Sequence, residues 1–116
     1  MTDKELLELS AKAAGIKINS WYGSEQEWYW AIHTPRQTDD IGWNPLTEDG
    51  DALRLAVKLE MEIYVDLCKC HIRVRYFDKY IYEDFSKDGG VTVDDPYAAT
   101  RRAITRAAAE IGRSME

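Results

Sequence analysis

A chain of 116 residues with 45% hydrophobic and 31% charged side chains carries enough apolar material for one core, so a single domain over residues 1–116 is expected. Its 15 basic residues face 21 acidic ones, a net charge of −6. That balance argues against a broad phosphate-neutralising surface and so against direct nucleic-acid binding. The opening MTDKELLELS lacks the basic-then-apolar run of a secretory leader, and no stretch approaches the roughly 18 apolar residues of a membrane span. Two cysteines two positions apart make no disulfide framework, which leads to the expectation of a reduced, cytoplasmic protein.

Thr2 followed by Glu5 forms a capping-box pattern. Leu6, Leu9 and Ala13, with Leu7 and Ala14 beside them, recur at helical spacing before Gly15, which predicts a helix over about 3–14. Trp28, Trp30 and Ile32 alternate with Tyr29 and Ala31 and suit a short strand. Residues 33–46, with two prolines, Asp39-Asp40 and Gly42, read as a long loop.

A second helix is expected from Asp49 to about Leu59, with Leu53, Ala56, Val57 and Met61 on one side. Met61, Ile63, Val65 and Leu67 then alternate with polar or mixed positions, and Cys68, Cys70, Ile72, Val74 and Tyr76 continue in the opposite parity. A one-residue slip exchanges the faces of a strand, so this flip requires a turn near 66–69. A turn at Phe77-Asp78-Lys79 leads to a strand at 80–85, and VTV beyond Gly89-Gly90 allows another short one. Asp95-Pro96 supplies the N-cap and first residue of a last helix running to about Arg113. Tyr97, Ile104, Ala108, Ile111 and Met115 fall on one side of it, with Arg102, Arg106 and Arg113 opposite. Its alanine-rich interior lets its backbone sit close to whatever it packs on. The expected fold is α+β: three or four mainly antiparallel strands covered by about three helices in the order α–β–α–β–β–β–α, sandwich-like.

Few residues combine into a motif. Cys68, Cys70 and His71 fall short of four zinc ligands, and the two thiols read as buried structural residues. Gly50 at the sixth position of a calcium loop would put Pro45, Thr47 and Ala56 where carboxylates are needed, so the acids of TEDGDALRL read as first-turn caps of a helix. No nucleophile elbow and no glycine-rich phosphate loop occurs. No catalytic residue, metal ligand or cofactor is assigned, and the expectation is that the chain is not an enzyme. Trp21 and Trp43 flank loops and are placed to anchor a protein partner, core packing being the plainer use of Trp43. Asp39, Asp40, Arg102 and Arg106 complete the candidate interface, the arginines as a basic strip that would meet an acidic partner or a second copy.

IGWNPLTEDGDALRLAVKL followed by VDDPYAATRRAITRAAAEIG resembles the phage ABA-sandwich domain family, small NinX-like accessory proteins of phages and prophages. Trp43, Asn44 and Pro45 carry the turn that opens a helix there, and Asp95, Pro96 and Ala99 the opening of the C-terminal helix. The resemblance covers about residues 41–112 and leaves out the N-terminal helix and Trp-rich segment of 1–40. It implies a sandwich fold and a phage or prophage origin, with no activity attached.

Together these expectations describe an accessory protein that works by binding a protein, whether a host factor or itself as a homodimer. One form is an acidic inhibitor of a host nucleic-acid enzyme, in which Asp39, Asp40, Glu48, Asp49, Asp51, Asp84, Asp88, Asp94 and Asp95 stand in for spaced phosphates if they share one face. The alternative is a small-ligand binder or enzyme with a pocket near Trp43 and His33.

Overall fold

The computed structural model describes residues 2–16, 18–22, 29–32, 41–85 and 95–115, with the backbone alone for 18–22, 29–32 and 41–42. The chain is α+β. Its elements in order are α1 (Asp3–Ala14), β1 (Ile18–Tyr22), β2 (Tyr29–Ile32), β3 (Ile41–Trp43), α2 (Asp49–Lys58), β4 (Glu62–Asp66), β5 (His71–Tyr76), β6 (Lys79–Asp84) and α3 (Pro96–Ser114). The strands form two antiparallel three-stranded meanders, β1-β2-β3 and β4-β5-β6.

The helix ends are locally encoded. The Thr2 hydroxyl accepts from the Glu5 amide, and Gly15 closes α1 in the left-handed region at φ 70°, with the Ile16 amide donating back to the Ala11 carbonyl. Asp95 caps α3 by accepting from the Ala98 amide at 2.7 Å, with Pro96 in the first turn.

The core is organised around α3. Ala99, Ala103, Ile104, Ala107, Ala108 and Ile111 are buried, because α3 packs on β5 and β6 and also receives α1 and α2. Small side chains are what permit contact on so many sides. At Gly112 an added Cβ would lie 2.0 Å from the Leu9 carbonyl oxygen, so α1 and α3 meet there backbone to backbone. Tyr97 and Met115, expected on the packed side, are exposed at the two ends of α3.

Three other expectations change. The long loop of 33–46 contains β3, which pairs with β2; residues 33–40 lie outside the described set, as do Trp28 and the VTV segment. The apolar side of α2 is Ala52, Leu55 and Ala56, which face the core, whereas Leu53 and Val57 are exposed. Cys68 is exposed and Cys70 partly so, because both sit in the Leu67–Cys70 turn rather than on a buried strand face. That turn is the reversal demanded by the parity flip, and Cys70 takes φ 53° within it.

WNPLTEDGDALRL forms a tertiary joint. Trp43 is 3% exposed and belongs to the core. The Asn44 side-chain oxygen accepts from the Leu46 amide across Pro45, an Asx turn. Buried Asp51, in the first turn of α2, accepts from the Asn44 amide at 3.0 Å and from Arg54 at 2.8 Å. The N-cap residue Glu48 makes no side-chain cap bond, and Asp49 pairs with Arg101 of α3 at 2.7 Å. The acids therefore hold α2 to its neighbours rather than simply capping its first turn.

Candidate functional site

Directly opposed residues of an antiparallel pair share a face. The register of β4, β5 and β6 therefore sorts their side chains into two sets. Ile63, Val74 and Ile81 form one row facing α3, and Val65, Ile72 and Glu83 the next. On β5 this face is sealed, with Ile72 and Val74 at 0% exposure, and Arg106 of α3 reaches across to Glu83 at 2.6 Å. On the edge strand β4, Ile63 and Val65 remain exposed, as does Leu67 beyond them.

The opposite face is open to solvent. Its rows are Glu62–Arg75–Tyr80, Tyr64–Arg73–Tyr82 and Asp66–His71–Asp84. Tyr64, Tyr80 and Tyr82 are 51%, 43% and 53% exposed. Tyr80 stacks beside Tyr82 with ring centroids 6.2 Å apart, and Tyr82 stacks on His71 at 5.2 Å. His71 Nδ1 lies 3.1 Å from Asp84, and Arg75 bridges Glu62 at 3.4 Å and donates to the Phe77 carbonyl. The Arg73 guanidinium carbon sits over the Tyr64 ring at 4.9 Å and over the Tyr80 ring at 5.4 Å.

At one end of this face lies an open depression of about 590 Å³ lined by Tyr64, Asp66, Lys69, His71, Arg73 and Asp84. The Lys69 amide donates to Asp66, which ties the Leu67–Cys70 turn to the rim. At the other end, the exposed Phe77 occupies the two-residue β5–β6 turn at φ 55°, a conformation that favours glycine. No group of His, Cys, Asp and Glu suited to hold a metal ion occurs among the described residues.

The described residues of the candidate interface read from sequence fall elsewhere. Trp43, buried in the core, offers no surface to a partner. Trp21 lies in β1 opposite Trp30, and Asp39, Asp40 and His33 lie outside the described residues. Arg102 and Arg106, read as a solvent-facing strip, instead pin α3 to its surroundings. Arg102 pairs with Asp3 of α1 at 3.3 Å, and Arg106 donates to Glu83 and to the Tyr82 carbonyl of β6. Of the acids that lie among the described residues, Asp49 pairs with α3, Asp51 is buried, Asp84 holds His71 and Asp95 caps α3. The described depression is lined by His71 and not by Trp43.

The apolar half of each alternation marks the packed face of β4–β6 and says nothing of the open-face residues. The polar half held the signal: tyrosines at 64, 80 and 82 stand where lysine, glutamate or threonine would serve a solvent face. No family model matches the chain, and no curated protein or solved structure matches it. No described helix is long and apolar enough to cross a membrane.

Proposed function

We propose that this chain is a phage or prophage accessory protein that works in the host cytoplasm by docking a protein on the open face of β4–β6, without catalysis. The docking reading is carried by Tyr64, Tyr80 and Tyr82 standing exposed around Arg73, opposite the face on which β5 is packed beneath α3. Tyrosine and arginine are the side chains that most often carry binding energy at protein interfaces, since each couples large contact area to polar ends. Cations and acids interleave on this face (Arg73, Arg75 and Lys69 with Glu62, Asp66 and Asp84), a pattern suited to a protein surface and poorly suited to a polyphosphate backbone. The phage or prophage origin is supported by the resemblance of the Trp43–Pro45 and Asp95–Ala99 segments.

Affinity purification from an infected or lysogenic host tests this reading when run in parallel with Tyr64→Ser/Tyr82→Ser protein. A partner retained by the natural chain and absent from the variant is the expected result; equal recovery by both removes the face from the function. Self-association is a second form, favoured by the edge position of β4 among the described strands, with Ile63, Val65 and Leu67 exposed along it. Sedimentation of the natural chain beside Val65→Lys decides it, a concentration-independent monomer being the adverse outcome.

A further inference from the structure

Seven arginines lie among the described residues, and six of them make ion pairs: Arg54 with Asp51, Arg75 with Glu62, Arg101 with Asp49, Arg102 with Asp3, Arg106 with Glu83 and Arg113 with Glu110. Arg73 alone makes none. Its guanidinium is held between the rings of Tyr64 and Tyr80, which fix its place while leaving its N–H donors unclaimed. It lines the depression together with Lys69, whose ammonium likewise has no partner. Acids are close at hand on this face, yet Asp66 is bonded to the Lys69 amide, Asp84 to His71 and Glu62 to Arg75.

We propose that Arg73 is the anchor for a single carboxylate, an aspartate or glutamate side chain presented by a protein partner. This rests on the open face being the docking surface and names what it grips. A planar fork of donors matches a carboxylate in two parallel hydrogen bonds, and a fork already immobilised by aromatic rings loses little freedom on binding. Charge selects the ligand further. Asp66 and Asp84 on the depression wall, with Glu62 one row away, repel an extended run of phosphates, while one carboxylate is balanced by Arg73 and supported by Lys69. A nucleic acid is therefore the disfavoured occupant.

The test selects a random-peptide library on the immobilised full chain, then measures the best peptide by fluorescence anisotropy. The expected peptides share one acidic position. Replacing that acid by its amide, or making Arg73→Gln, is expected to weaken binding roughly tenfold or more, and the two changes together cost no more than either alone. Arg73→Lys, which keeps the charge and loses the fork, falls between. Unfolding midpoints of the variants check that the sheet is intact.

Peptides without a shared acid, additive losses, or a single-stranded oligonucleotide that outcompetes the peptide would each overturn the proposal. Peptide binding that is lost in Tyr64→Ser/Tyr82→Ser but kept in Arg73→Gln removes the anchor and leaves the docking face standing. A library that yields no binder, or binders indifferent to all these changes, removes both.

Discussion

Ile72, Val74 and Tyr76 on one face of β5 are sealed beneath α3, while His71, Arg73 and Arg75 on the other stand among exposed tyrosines. The two sets alternate along a single strand, so they share backbone and register and differ only in what covers them. On the covered face, apolar area leaves water during folding and stabilises the fold. On the open face, three tyrosine rings remain in solvent after folding is complete. Their area can lower the free energy further only by association, which is the physical ground for placing docking on that face and stability on the other.

The largest effect that could break this division is expected from Ile72→Ala. Removing a fully buried branched side chain beneath α3 should cost about 3 kcal/mol in urea unfolding. A loss below about 1 kcal/mol would mean that α3 does not seal the sheet. Next is Gly112→Ala, whose Cβ meets the Leu9 carbonyl and forces α1 away from α3. A cost of about 1–3 kcal/mol is expected, read as a lowered thermal midpoint, and an unchanged midpoint would contradict the close approach.

A smaller effect is expected in alkali. Burial first, then the carboxylate of Glu110 and more weakly that of Asp78, push the Tyr76 phenol above the ordinary tyrosine range, with Arg113 opposing. The native state thus keeps a proton that the unfolded chain releases. Stability from this group is complete below the unfolded value of about 10 and falls as pH rises from there through the higher native value. Unfolding measured across that window should show a shallower decline in Tyr76→Phe than in the natural chain. The smallest effect belongs to the open face: Tyr64→Ser and Tyr82→Ser should each change stability by no more than about 0.5 kcal/mol. A cost near that of Ile72→Ala would show that the open face serves the fold and would erase the distinction.

Much of this architecture is legible in the chain. Thr2, Gly15 and the Asp95-Pro96 pair mark the helix ends where they occur, and the parity flip between Leu67 and Cys68 marks a turn that is present. Alternation was less informative about burial. Met61 packs against the core as its place in the alternation suggests, but Ile63, Val65 and Leu67 are exposed, because β4 is an edge of its sheet. Leu53 and Val57 mislead in the same way on α2, where the smaller Ala52 and Ala56 with Leu55 make the packed side. Apolar identity states what burial would gain, and only the packing of neighbours determines whether burial occurs. The candidate site was less legible still, because the identifying features of Arg73 are two ring contacts and a missing ion pair, and neither follows from its sequence neighbours.

By itself, the sequence determined the positions of the three helices, the reversals between β4, β5 and β6, and the existence of two chemically distinct strand faces. These follow from caps, turns and alternation acting over a few consecutive residues. Only the tertiary structure decided which arginines are bound and which is left available. Arg101 meets an acid 52 positions away, Arg102 one 99 positions away and Arg106 one 23 positions away, pairings that exist only once the helices have closed on the sheet. Arg75 and Arg73 share the uncovered face of β5, but register sets Arg75 beside Glu62 and Arg73 beside tyrosines, so Arg73 alone of the described arginines makes no ion pair.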